Sequence, residues 1–279
     1  MRLGLSMLLM CLLSSPCARG EAHDTTILSR GVQIPATIML PQECCPIVIF
    51  AHGHGGNRYE RQGFPTIAEA LARQGIGSIR VDFAGCGDST EPFTGNCLTT
   101  MKEDVRSAIR VAKEELSASA IGLFGYSMGG RVVLELLAEG EEVQAVSMLA
   151  PAAETTALIK TIFHDFDAMH ETAKQEGFYP FTQTEHLSPA WFEDMLRYDD
   201  PAAAAAKVYH GPSQVIWAQD DAAVLPHVCA HTAEVLSAQA VDASGRNHSY
   251  GFGAEDDTLR KHIAESAAGF FAAHLTDRD

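Results

Sequence analysis

Gly125-Tyr126-Ser127-Met128-Gly129 sets one serine between two glycines at G-x-S-x-G spacing. An apolar run, Ile121 to Phe124, precedes it, and a helical pattern from about Met128 to Leu137 follows. A strand, a sharp turn and a helix in that order would lift the Ser127 hydroxyl above a sheet edge. The helix N-terminus beneath it would favour developing negative charge. Glycine is needed on both sides because neighbouring backbones in so sharp a turn nearly touch. The chemistry open to such a hydroxyl is nucleophilic attack. A serine is a poor nucleophile at its own pKa, so it needs a neutral imidazole to take its proton and a carboxylate to orient that imidazole. A second cluster, His52-Gly53-His54-Gly55-Gly56, follows another apolar run, Pro46 to Ala51. Two histidines at i, i+2 could begin a metal site, but no third ligand follows at a suitable spacing, so none is expected. His52 is read as a structural residue bonded within its loop.

The elements that must hold these residues follow from periodicity. Residues 25–40 read as two short strands meeting at Arg30-Gly31. Pro46 to Ala51 is a continuous apolar run, as in a strand buried on both faces. Helical spacing from about Thr66 to Gln74 and a strand at Ile76 to Val81 come next. Apolar residues at Val105, Ala108, Ile109, Ala112 and Leu116 predict a helix over Glu103 to Leu116. Strands are expected at Ala120 to Phe124, Val143 to Leu149, Gln214 to Trp217 and Ala238 to Asp242, with helices at Val224 to Leu236 and Thr258 to Leu275. Strands alternating with helices imply right-handed crossovers and a mostly parallel sheet. The alternation stops between Pro151 and Tyr209, where nine of the 21 aromatic residues fall. This stretch reads as a helical cap inserted at about 152–209.

These motifs together resemble the α/β-hydrolase superfamily, over essentially the whole chain after residue 25. The resemblance implies an α/β fold, a mostly parallel sheet flanked by helices with a cap insertion, and an acid and a histidine downstream of the serine. Gly245-Arg246-Asn247-His248-Ser249 resembles the family's G-x-x-H loop, which implies His248 as the base. Most other downstream histidines fall in the cap or inside helices. Residues 216–226, Ile-Trp-Ala-Gln-Asp-Asp-Ala-Ala-Val-Leu-Pro, resemble the family's post-strand acid loop. Alignment on Val224 and Pro226 selects Asp221, with Asp220 as the competitor if the loop shifts by one. Ala218 stands where the family usually has glycine. The His-Gly loop resembles the family's oxyanion loop and implies the backbone N–H groups of His54 and Met128 as donors. Asp82-Phe83-Ala84-Gly85-Cys86-Gly87-Asp88-Ser89 matches a structural family loop, D-x-x-G-x-G-x-S. Arg80 to Phe83, Thr94-Gly95-Asn96 and the helical cap together resemble the cinnamoyl or feruloyl esterase branch. Monoacylglycerol lipases and serine aminopeptidase-like hydrolases share much of the pattern.

The reading is therefore a serine carboxylester hydrolase that forms an acyl-enzyme and needs no cofactor, acting on a small-molecule ester of aryl or hydroxycinnamoyl type. Short-chain acyl or monoacylglycerol hydrolysis is the alternative, followed by aminopeptidase or acyltransferase activity. A non-catalytic binding module would be expected to have lost part of the triad, and a haloalkane-type enzyme needs aspartate at position 127. Composition agrees with a globular enzyme: 46% hydrophobic and 20% charged residues exclude a disordered or fibrous chain. The net charge of −16 argues against nucleic acid or an anionic membrane, whose phosphates it would repel. Leu3 to Leu13 is too short to span a bilayer. With Arg2 before it and Ala18-Arg19-Gly20 after it, residues 1–20 read as a signal peptide. Export to the periplasm or outside the cell is then expected, and a cytoplasmic location otherwise. Beyond that segment lie five cysteines, Cys44, Cys45, Cys86, Cys97 and Cys229. The odd count does not suggest a disulfide framework, and a Cys86–Cys97 bridge is left open.

Overall fold

The computed structural model describes residues 20–244 and 247–276. The signal segment expected over residues 1–20 lies outside the described residues except for Gly20, as do Gly245 and Arg246 of the histidine loop. Strands β1 (Ala22–Ser29) and β2 (Val32–Met39) form an antiparallel hairpin turned at Arg30-Gly31. They are followed by β3 (Ile47–Ala51), β4 (Gly77–Val81), β5 (Ile121–Tyr126) and β6 (Ala145–Leu149). A small hairpin, β7 (Tyr179–Pro180) and β8 (His186–Leu187), stands apart from the main sheet. β9 (Ser213–Trp217) and β10 (Gln239–Asp242) complete the set.

The main sheet has the order β1-β2-β4-β3-β5-β6-β9-β10. Its first two pairings, β1 with β2 and β2 with β4, are antiparallel, and the rest are parallel. Every residue of β3, β4, β5 and β6 is buried. That is why these strands read as unbroken apolar runs: helices cover both of their faces. The edge strand β10 has no fully buried residue.

Helices α1 (Gly63–Arg73), α2 (Leu98–Arg110) and α3 (Met128–Ala138) follow β3, β4 and β5. The stretch between β6 and β9 carries α4 (Thr155–Thr161), α5 (Phe166–Glu176), α6 (Pro189–Met195) and α7 (Pro201–Ala205) around the small hairpin. α8 (Pro226–Val235) and α9 (Thr258–Leu275) close the chain. α2 begins five residues before the expected Glu103. Its N-cap is Cys97, whose backbone N–H donates to the Thr100 hydroxyl at 3.2 Å, so no Ser, Asp or Asn marks the start. Beyond Arg110 the helix widens into a π-turn over Val111–Glu115. Cys86 and Cys97 are free thiols, so the bridge left open between them is not formed.

Arg131 of α3 ties the inserted helices to the sheet. It is fully buried, pairs with Glu135 at 3.0 Å, and donates to Thr155 Oγ1 at 2.9 Å and to the Tyr198 carbonyl at 2.6 Å. Both ends of the insertion thus hang from the helix that starts beside Ser127.

Candidate active site

Ser127 stands between β5 and α3 with φ 54° and ψ −115°, in the left-handed region that a residue with a side chain rarely enters. The turn survives because its neighbours have no side chains. A Cβ at Gly129 would lie 1.9 Å from the Ala51 carbonyl oxygen, and one at Gly125 would lie 2.5 Å from that of Gly129. Ser127 N–H donates to the Leu149 carbonyl at 2.9 Å, locking the turn onto β6.

Three side chains meet at this turn. His248 Nε2 lies 2.9 Å from Ser127 Oγ, and His248 Nδ1 lies 2.7 Å from Asp221 Oδ2. The carboxylate fixes the tautomer: Nδ1 carries the proton and donates it to Asp221, and Nε2 is left free to accept from the serine hydroxyl. Asp221 is 2% exposed. Its Oδ1 accepts the N–H groups of Ala223 and Val224 at 2.9 and 3.0 Å, and its Oδ2 also accepts the Tyr250 hydroxyl at 2.8 Å. Burial pushes this carboxyl upward, but the bonds and charge of His248, with Tyr250 and the Val224 amide, hold it below its ordinary value. It is therefore an anion at neutral pH. Asp220 is exposed and turns to the backbone instead, accepting the Asn247 N–H at 3.0 Å. The two adjacent aspartates grip the same loop, one by the imidazole and one by the chain beside it.

The His-Gly loop abuts the serine. A Cβ at Gly53 would sit 3.4 Å from Ser127 Cβ. His52 accepts the Phe83 N–H on Nε2 at 3.1 Å, so its Nδ1 carries the proton and donates to the Gly53 carbonyl at 2.8 Å. Burial lowers it to about 4 and keeps it neutral. His54 borders the same cleft as Ser127, and Met128 opens α3 directly after it. The His54 ring meets Phe93, Phe163, Phe181 and Trp191 edge-on at 5.5 to 6.3 Å. Its pKa is lowered by burial. Among the described residues no group of three His, Cys, Asp or Glu side chains could hold a metal ion.

Sequence patterns did not single out Glu60, Tyr126 or Tyr250. Glu60 accepts the Gly53 N–H on Oε1 at 2.8 Å and is 5% exposed. Burial raises it to about 7. Tyr126 stacks on His248 at 5.3 Å between ring centroids and donates its hydroxyl to the His248 carbonyl. Tyr126 and Tyr250 stand one and two residues from Ser127 and His248, and that adjacency was the only signal.

A cleft of about 480 Å³ opens at this point, with Gly53 to Asn57, Glu60, Arg61, Tyr126, Ser127, Ile162 and His248 on its walls. The insertion reaches it through Ile162 and through Glu185, which packs over Gly55. Most of the insertion's large rings are spent on one another. Phe163, Phe166, Trp191 and Phe192 are 0 to 3% exposed, with Phe163 and Trp191 at 4.7 Å and Phe166 and Phe192 at 5.2 Å.

Residues 46–197, more than half of the chain, match the family model described as alpha/beta hydrolase fold. The chain belongs to the α/β-hydrolase family. This α/β hydrolase is 34% identical over 108 residues to the AB hydrolase superfamily protein YisY of Bacillus subtilis (strain 168), covering 38% of each. It is 28% identical over 140 residues to Esterase EstD of Thermotoga maritima, covering 48% of this chain and 33% of that protein. The chain thus spans only about a third of the length of these curated relatives, 38% of one and 33% of the other. Among solved structures it resembles Est1E of Butyrivibrio proteoclasticus with ferulic acid bound, at TM-score 0.73 and 19% identity, covering 91% of this chain and all of that one. The Pyrococcus furiosus esterase Pf2001 superposes at TM-score 0.68 and 17% identity, covering 92% of each. One of the curated relatives of this α/β hydrolase is thus named an esterase. Among the described residues no helix is long and apolar enough to cross a membrane.

Proposed function

We propose that this α/β hydrolase is a serine carboxylester hydrolase with Ser127 as nucleophile, His248 as general base and acid, and Asp221 as the orienting carboxylate. One observation carries the reading: His248 bridges Ser127 Oγ at 2.9 Å and Asp221 Oδ2 at 2.7 Å, each through the ring nitrogen its role needs. Ser127 Oγ attacks the ester carbonyl while His248 Nε2 takes its proton. The carbonyl oxygen gains charge beside the N–H groups of His54 and Met128, assigned here as the oxyanion donors. The tetrahedral intermediate collapses, its C–O bond breaks, and His248 hands the proton to the leaving alcohol. Water then enters, loses a proton to His248 and releases the acid from Ser127. The inserted helices act as a cap over the cleft.

For the acyl group, the reading is an aryl or hydroxycinnamoyl ester. It rests on the likeness to a structure that holds ferulic acid and on the aromatic content of the insertion. A second reading, a short-chain acyl ester, is favoured by the burial of those rings against each other. Rates on methyl ferulate and on an aliphatic methyl ester of similar size separate the two. The hydroxycinnamoyl reading expects kcat/KM about tenfold or more higher for the ferulate, roughly 1.4 kcal/mol. Preference for butyrate overturns it and leaves the short-chain reading standing.

A further inference from the structure

Arg61 is the only Lys or Arg on the described walls of the cleft beside Ser127. It lies in an unusual stretch: Glu60, Arg61 and Gln62 take φ of 39°, 49° and 72°, three consecutive non-glycine residues in the left-handed region. Such a run is costly and persists only where the surroundings impose it. Its effect is to give two neighbouring side chains different surroundings on one cleft wall. Glu60 is buried and bonded to the Gly53 amide, whereas Arg61 is exposed, and both border the cleft. The Arg61 stem is braced at the closest approach to Gly253, where a Cβ would meet Arg61 Cβ at 3.2 Å and Cδ at 3.4 Å.

The charge of Arg61 acts on Glu60 and Tyr126, yet no carboxylate among the described residues is bonded to it. Arg30, Arg58, Arg73, Arg106, Arg131 and Arg197 each pair with a carboxylate of the chain. Among the described residues the Arg61 side chain has no ion pair and no hydrogen bond, in a protein with 36 acidic residues against 20 basic ones. The overall field of such a protein repels anions. An unpaired guanidinium at the reacting serine is therefore the local exception, and its planar fork suits a carboxylate.

We propose that Arg61 is a specificity residue that binds a carboxylate on the alcohol half of the ester, making esters of hydroxy acids the preferred substrates. This rests on the reading of Ser127 and His248 as nucleophile and base. The assignment to the alcohol half follows from proton traffic. His248 must protonate the leaving oxygen, so the alcohol lies on the His248 side of the cleft. Arg61 shares that side: it lines the cleft with His248, and its charge acts on Tyr126, whose ring stacks on His248. In turnover the ester C–O bond breaks, the proton passes from His248 to the leaving oxygen, and the hydroxy acid departs as its carboxylate.

The test is a matched series: O-butyryl glycolate and O-butyryl 3-hydroxypropionate, each against its neutral amide, with kcat and KM measured at low and high KCl. The wild-type enzyme should favour the carboxylate over its amide in kcat/KM by about tenfold or more, chiefly through KM. That ratio should shrink as salt rises, because the contact is exposed. Arg61→Gln should bring it near one, and Arg61→Lys should restore part of it. Equal or reversed preference in the wild-type enzyme overturns the proposal, as does a ratio insensitive to both salt and Arg61→Gln. The salt series needs no variant, so a misfolded substitution does not blunt the test. Failure of the underlying reading shows separately, as Ser127→Ala still hydrolysing p-nitrophenyl acetate.

Discussion

Tyr250 donates its hydroxyl to Asp221 Oδ2 at 2.8 Å, the same oxygen that faces His248 Nδ1. The carboxylate is thereby held by four donors, two from the chain and two from side chains, with no freedom to rotate away from the imidazole. Tyr250→Phe removes one donor from a buried anion and leaves the His248 contact in place. We expect kcat to fall about three- to tenfold, less than the roughly 1.5–3 kcal/mol of a hydrogen bond to a charged group because three donors remain on the carboxylate, with little change in KM. Steady-state kinetics on p-nitrophenyl acetate read it, and an unchanged kcat would show that the phenol does not position Asp221.

The two adjacent aspartates should separate sharply. Asp221→Asn presents the wrong partner to Nδ1 and should cost about 10⁴-fold in kcat. Asp220→Asn keeps an oxygen for the Asn247 N–H and should cost less than about tenfold. The reverse ranking would assign the orienting role to Asp220.

The turn at Ser127 makes a stability prediction. Gly129→Ala would drive its Cβ to 1.9 Å from the Ala51 carbonyl oxygen, backbone against backbone. It should abolish soluble folded protein, or leave one with the sheet disrupted by circular dichroism. Gly269→Ala in α9 meets nothing within 4 Å. It should stabilise by about 0.5–1 kcal/mol through helix propensity. Equal tolerance of the two changes would contradict the packing at the turn.

Glu60 makes a pH prediction. Burial raises its carboxyl from the ordinary 4.5 to about 7, against the pull of the Gly53 N–H, Arg61 and His248. The unfolded chain therefore loses this proton first as pH rises. The stability linked to the retained proton is present in full below about 4.5 and is lost as pH climbs through about 7. Glu60→Gln keeps an acceptor for the Gly53 amide and does not titrate. Its stability relative to wild type should rise between pH 5 and 8 by something on the order of 2–3 kcal/mol. Denaturant titrations across that range check it, and parallel stability curves would remove Glu60 as the titrating group.

Much of the fold is legible in the sequence. The buried strands announced themselves as apolar runs, and Ser127 lay between glycines in the right setting because the turn tolerates no side chain there. The histidine and acid loops were legible as local patterns. That Asp221 faces the His248 ring while Asp220 faces the Asn247 N–H is set by loop geometry, which two adjacent identical residues do not reveal in sequence. Glu60 and Tyr250 act through contacts seven and 29 residues away, which no local pattern encodes. The aromatic excess of the insertion was visible as a count, whereas the burial of Phe163, Phe166, Trp191 and Phe192 against one another depends on how its helices pack.

The most direct test of the account is to treat the enzyme with a fluorophosphonate and map the adduct by peptide mass spectrometry. A nucleophile set at the Ser127 turn and activated by His248 predicts one phosphonyl group on the peptide bearing Ser127, with labelling lost in both Ser127→Ala and His248→Ala. An adduct on another residue, or labelling of Ser127 that persists at the wild-type rate in His248→Ala, would contradict it.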